Sequence, residues 1–197
     1  SNGFVIIIGF SRNPLSMTDV SPMIDASQAR TLDGLFRERV RRTPTWSAFR
    51  FFDRKQKAWQ TLEWQAMAQQ VGRWLAALAQ TQLRQGDRLA ILLRNGPEWI
   101  AIEQAALTQG LVVVPLYLDD RPDNLRFVLE DAGVKFLVIP DVNYWNKLLA
   151  VCAKPLLDLE HIVLCEDEQA PTSPWEHLQL HCASIWVPAT AAPLTER

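Results

Sequence analysis

The sequence predicts an α/β fold, in which a parallel sheet with helices on both faces follows an N-terminal helix and a β-hairpin. Three observations carry that expectation. Between residues 88 and 165, short apolar runs alternate with helix-like stretches. The runs show little polar alternation, as strands buried on both faces do. Glycine and proline stand at the joints, at Gly86, Pro97, Gly110, Pro122 and Gly133.

Taken in order, residues 1–30 read as a tail. Ser1-Asn2 has the look of a cloning scar, and Met17 is the expected natural start. Residues 1–16 are therefore left out of the functional reading, a vector origin being one explanation. The run Phe4–Phe10 falls far short of the roughly 20 residues that cross a bilayer and lacks the basic flank of a signal peptide. Thr31 is expected to cap a helix to about Arg42, with Leu32, Leu35, Phe36 and Val40 as its apolar stripe. Trp46–Phe52 and Ala58–Leu62 flank the polar turn 53–57 and predict a hairpin. Met67, Val71, Trp74, Leu75 and Leu78 recur at helical spacing within a long helix over Glu63–Gln82.

The alternating part begins with strand Leu89–Leu93 and a helix opened by Asn95-Gly96-Pro97 and closed by Gly110. Strand Leu111–Leu116 follows, then a helix from Pro122 to Gly133 with Leu125, Val128 and Leu129 inward. Strand Lys135–Ile139, a helix near Tyr144–Ala153 and strand His161–Cys165 complete the series, and Trp175–Leu180 is expected as a short helix. Residues 183–197 lack periodicity and read as a truncated linker, which leaves 31–182 as the α/β subdomain.

Composition narrows the function. Twenty basic against 22 acidic side chains give a net charge of -2, which argues against a phosphate-tracking surface for nucleic acid. The three cysteines, Cys152, Cys165 and Cys182, have no Cys-x-x-Cys spacing, so a disulfide framework is not expected and a reducing cytoplasm is. The eight glycines include no pair closer than Gly3 and Gly9, which excludes both the Gly-x-Gly-x-x-Gly and the Walker phosphate loops. The spacing His161-x3-Cys165 with His177-x3-His181-Cys182 resembles a zinc pattern, but no paired-cysteine motif anchors it, and Cys165 reads as core. No metal ligand and no catalytic residue is assigned.

Arg37, Arg39, Arg41 and Arg42 read as a solvated helix face rather than an anion site, and Asp119, Asp120 and Asp123 as carboxylates near a helix amino terminus. Trp64 and Trp74 are expected in the core. Asn95 and Trp99 follow the first parallel strand, where open α/β sheets gather ligands. They are the substrate-binding candidates, with helix capping as the structural alternative.

Several stretches resemble the opening of AMP-forming acyl-CoA synthetases. Leu62-Glu63-Trp64-Gln65-Ala66-Met67 is similar to that family's first core motif, with Glu63 where a hydroxyl residue is usual and Ala66 where an acid is. Gly86-Asp87-Arg88 through Asn95-Gly96-Pro97-Glu98-Trp99, Gln109-Gly110 through Pro115-Leu116-Tyr117, and Leu129–Val138 continue the resemblance. It covers about Thr31 to Cys165. It implies the N-terminal subdomain of the acyl-CoA synthetase-like fold. The implied parent reaction joins a carboxylate to ATP as acyl-AMP and then to coenzyme A, with Mg²⁺. Tyr117 stands where fatty-acyl members tend to carry tyrosine, and it joins the substrate-binding candidates. Because the family's phosphate loop is missing from residues 1–197, the fragment is expected to bind no cofactor and to be inactive alone. Its implied partners are the remainder of the parent synthetase chain and a fatty acid or other carboxylate. A carrier-protein-loading adenylation enzyme, a non-catalytic α/β interaction module and a flavodoxin-like nucleotide binder stay open as alternatives.

Overall fold

The computed structural model describes residues 23–54 and 56–194. The proposed start at Met17 and the apolar run Phe4–Phe10 lie outside the described residues. The chain divides into two compact units. One comprises the chain to Trp74, Asn95–Ala105 and the segment from Thr190; the other comprises Leu75–Arg94 and Ala106–Ala189.

In the first unit, α1 (Ala26–Ala29) is a short turn of helix within the expected tail, opened by Asp25 accepting from Ser27 N. The helix α2 (Leu32–Arg42) begins where Thr31 predicts, with Thr31 Oγ1 accepting from Gly34 N at 3.1 Å. Phe36 and Val40 are buried, but Leu32 and Leu35 are exposed, so the inward stripe is narrower than expected. The arginines of α2 are spent on neighbouring partners. Arg37 pairs with Asp33, and Arg41 and Arg42 both reach Glu38 at 2.7 Å. Hydrogen bonds from Arg41 and then Arg42 lower the Glu38 carboxyl to about 2. Arg42 also donates to Met23 O and Gln28 Oε1.

β1 (Ser47–Asp53) and β2 (Ala58–Glu63) form the antiparallel hairpin, with a register shift between Ser47 and Phe49. The helix α3 (Trp64–Leu78) follows directly. Glu63 stands just before the helix, and its Oε2 accepts from Gln65 Nε2 at 2.8 Å. The first helical amides donate to loop carbonyls, Trp64 N to Trp46 O and Gln65 N to Pro44 O. The helix stops at Leu78, four residues short of expectation, where Thr81 Oγ1 bonds Leu78 O and Thr81 N bonds the same carbonyl. Trp64 packs edge-on against Phe36 at 5.7 Å and tilted against Phe49, and Trp74 is buried.

The second unit carries a five-stranded, wholly parallel sheet in the order β4-β3-β5-β6-β7. Its strands are β3 (Arg88–Ile91), β4 (Val112–Pro115), β5 (Val134–Ile139), β6 (His161–Leu164) and β7 (Gln179–Cys182). The connecting helices are α4 (Pro97–Thr108), α5 (Pro122–Asp131) and α6 (Val142–Val151). One face of the sheet places Ala90, Leu137, Ile139, Ile162 and Leu164 against Leu125 and Leu129 of α5 and Trp145 and Leu148 of α6. The alternate residues Leu89, Ile91, Phe136, Val138 and Val163 are fully buried as well. Full burial of such a side chain stabilises by roughly 1.5–3 kcal/mol, so these central strands dominate the unit's hydrophobic stabilisation.

Two expectations are corrected at the carboxyl end. The segment Trp175–Leu180 is not a helix; Gln179–Cys182 is a fifth parallel strand. The residues read as a linker contain α7 (Ala183–Trp186) and the buried Val187 and Leu194. Trp186 stacks on His181 at 4.8 Å and lies 5.7 Å from Phe136. In the first unit, a Cβ on Gly72 of α3 would stand 2.2 Å from Ala192 O, so glycine permits that close backbone approach.

Candidate functional site at the carboxyl edge of the sheet

The strand order has one reversal. β4 lies on one side of β3, and β5, β6 and β7 continue on the other, which puts the topological switch between β3 and β5. In open α/β sheets, ligands gather outside the carboxyl ends of the strands at such a switch. The switch is built tightly: Leu92 N donates to Val138 O at 2.8 Å and Leu116 N to Ile91 O at 3.0 Å. Past β5 and β6, Cys165 N donates to Ile139 O and Glu166 N to Pro140 O. Tyr117 lies two residues past the end of β4 and is 72% exposed. Its carbonyl accepts from Asp120 N, which turns the chain toward α5.

The other two candidates belong to the first unit. Asn95 is exposed and Trp99 half-buried at the start of α4. The first helical bond runs from Ile100 N to Gly96 O at 3.3 Å, so Gly96, not Asn95, holds the capping position. Glu98, between them, accepts from the buried Trp74 Nε1 at 2.5 Å. Desolvation around that carboxyl raises its pKa despite the residue's exposed flank, and the Trp74 bond works against the rise. Asn95 thus precedes the cap of α4, Trp99 lies in its first turn, and Tyr117 lies in the other unit.

Whether this edge fits the phosphates of a nucleotide can be judged from its backbone donors. The amides of the first turn of α6 are already taken. Asp141 Oδ1 accepts from Asn143 N at 2.8 Å and Tyr144 N at 3.2 Å, and Asp167 Oδ2 accepts from Val142 N at 2.6 Å. Two carboxylates there repel an anion. Among the described residues, the three glycines with positive φ, Gly86, Gly110 and Gly133, stand within two residues of the starts of β3, β4 and β5, at the opposite edge of the sheet. The amino terminus of α6 therefore does not fit a triphosphate, and no step through ATP is assigned to the described residues.

That opposite edge explains the Gly-Asp-Arg motif. Arg88 donates through Nε to Ala132 O at 2.6 Å and through Nη2 to Gly133 O at 2.8 Å, binding the end of α5 to the start of β3. Asp87 accepts from Arg84 N at 2.8 Å and pairs with Lys135 at 3.3 Å, and Lys135 also reaches Glu160 at 3.4 Å. The bond from Arg84 N is the main reason the Asp87 carboxyl is lowered, and the bond to Asp87 raises Lys135. The motif ties strands together at the amino edge of the sheet, opposite the edge where open α/β sheets gather ligands.

The zinc-like spacing does not converge. His177 stacks on Trp175 and lies 3.2 Å from Leu156 O. His181 and Cys182 are successive residues of β7, whose side chains point to opposite faces. His161 Nδ1 and His181 Nε2 lie 3.2 Å apart across β6 and β7, one ring donating to the other. Burial holds both rings below the usual histidine value, and the charge of His161 lowers His181 further. Among the described residues, no group of three or more His, Cys, Asp or Glu could hold a metal ion. Sequence reasoning missed the switch itself, because strand order leaves no local signal. The carboxylate capping of α6 was half legible, since Asp141 before an apolar run is an N-cap signature, whereas Asp167 reaches it from 25 residues away.

The comparisons agree with this architecture. The family model described as AMP-binding enzyme matches residues 36–190. The peroxisomal long chain acyl-CoA synthetase 7 of Arabidopsis thaliana is 32% identical over 94 residues, 47% of this chain and 13% of that protein. Long-chain-fatty-acid–CoA ligase 6 of Rattus norvegicus is 26% identical over 113 residues, 56% of this chain and 15% of that protein. A solved fatty acyl CoA synthetase of Mycobacterium tuberculosis superposes with a TM-score of 0.61 at 18% identity, covering 88% of this chain and 31% of that one, a likeness of fold. This chain spans well under two thirds of each of these relatives. With the family model matched over most of its length, the chain belongs to the AMP-binding enzyme family.

Proposed function

We propose that this chain is the amino-terminal segment of an ATP-dependent fatty acyl-CoA synthetase, inactive by itself. It supplies the parallel sheet and part of the substrate-facing edge. ATP, Mg²⁺ and coenzyme A are handled by the remainder of the parent polypeptide. In this reading Asn95 and Trp99 in the first unit, and separately Tyr117 in the second, are the candidate substrate-binding residues. The observation that supports it most is the pairing of a family match over 36–190 with a sheet whose positive-φ glycines all lie at its amino edge. Cys152, Cys165 and Cys182 are in no disulfide, which fits a reducing cytoplasm. No described helix is long and apolar enough to cross a membrane.

The test is fatty-acid-dependent ATP–pyrophosphate exchange, followed by thioester formation with coenzyme A. The full-length parent is expected to show both, and the 197-residue chain neither. Exchange without a coenzyme A thioester would favour the carrier-loading alternative. No carboxylate-dependent exchange by the full-length parent would refute the proposal.

A further inference from the structure

The β1–β2 hairpin has an inner and an outer face. Phe49, Phe51 and Leu62 are half-buried on one, and Arg50, Phe52, Trp59 and Thr61 are exposed on the other. Phe52 and Trp59 are direct cross-strand partners, with rings 5.8 Å apart at 73°, and they remain 38% and 52% exposed. The Arg50 guanidinium lies 5.2 Å over the Trp59 ring. Arg54 and Lys57 are exposed in the turn beyond them. Between positions 50 and 59 the sequence sets four cations, Arg50, Arg54, Lys55 and Lys57, against the single carboxylate of Asp53. Asp53 Oδ1 accepts from Gln56 N at 3.0 Å within the turn. The chain as a whole carries a net charge of -2, so this positive excess is local.

Exposed aromatic rings bordered by long basic side chains match a lipid–water interface. The rings sit at headgroup level, and the cations face acidic headgroups. Two features favour lipid over other partners. The edge-to-face ring pair offers no flat platform on which successive bases could stack. Lysine is depleted in protein–protein interfaces, and Lys57 is exposed in the turn beside this face. We propose that the outer face of the hairpin docks the protein peripherally on an anionic lipid surface, with Phe52 and Trp59 entering the headgroup layer and Arg50, Arg54 and Lys57 facing it. The inference does not depend on the reaction proposed above.

The experiment is co-flotation of the 197-residue chain with phosphatidylcholine vesicles made with and without phosphatidylserine, and an anisotropy titration with a single-stranded oligonucleotide. The chain is expected to float with the phosphatidylserine vesicles, to be released by salt, and to stay behind with neutral vesicles. Lys57 has φ +52, a region asparagine tolerates, so Lys57→Asn removes the charge and keeps the turn. It should lower the partition about fivefold. The double variant Phe52→Ser with Trp59→Ser should lower it roughly tenfold or more. Far-UV circular dichroism checks the fold of each variant, and Lys57→Asn serves alone should the double variant unfold. Failure to float with phosphatidylserine vesicles, equal flotation with neutral ones, partition unchanged in the variants, or capture of the oligonucleotide in place of vesicles would each overturn the proposal.

Discussion

Replacing Arg88 with methionine tests whether the Gly-Asp-Arg motif is framework or site. The substitution keeps most of the apolar stem and removes the two charge-assisted hydrogen bonds to Ala132 O and Gly133 O. Each such bond contributes about 1.5–3 kcal/mol. The guanidinium is partly exposed, and water recovers some of the loss at both carbonyls, so the expected cost is about 2–4 kcal/mol. With a urea slope of about 2 kcal/mol per molar, the unfolding midpoint should fall by roughly 1–2 M. Lysine, a single ammonium in place of the planar fork, should fall between the wild type and Arg88→Met. Urea unfolding followed by circular dichroism reads both. A midpoint that stays put in Arg88→Met would refute the framework reading and return Arg88 to the list of ligand contacts.

Other perturbations test separate parts of the fold. In the unfolded chain, His161 and His181 titrate near 6.5, and burial lowers both in the fold. Their contribution is therefore fully present above about pH 6.5 and is lost as pH falls from there through the folded values. Thermal melts on either side of that pH should show the loss, reduced in His181→Phe; an unchanged pH dependence in that variant would contradict the assignment. Gly72→Ala would place a Cβ 2.2 Å from Ala192 O, costing about 1–3 kcal/mol and exposing residues 190–194 to limited proteolysis. An unaltered melt and digestion pattern would show that this segment is not held there. On β4, Val112 N and Leu116 N bond toward β3, so Val113 and Pro115 face the open edge, where Pro115 removes a donor. Pro115→Val should promote self-association by light scattering, and a strictly monomeric variant would show that the proline does not guard this edge.

Local chemistry made much of the fold legible. Thr31, Pro97 and Pro122 mark helix starts, and Gly110 and Gly133 mark ends that require positive φ. The strand at Gln179–Cys182 was hidden because four residues with a polar mix read as nothing until β6 supplies a partner. Leu32 and Leu35 misled because their spacing is right for a buried stripe, while the helix buries Phe36 and Val40 together with Asp33. The extent of α3 was overestimated, since the stop at Leu78 is made by a threonine that bonds back to the helix rather than by glycine or proline. Asn95, Trp99 and Tyr117 stand out in the sequence as motif positions. The reversal of strand order that defines the edge arises from long-range pairing, and so does the reach of Asp167 to α6.

The most direct test of the central claim is a calorimetric titration of the 197-residue chain with ATP and Mg²⁺. With the α6 amides held by Asp141 and Asp167 and the positive-φ glycines at the far edge, no saturable heat is expected. Stoichiometric, saturable nucleotide binding by this chain alone would contradict the account.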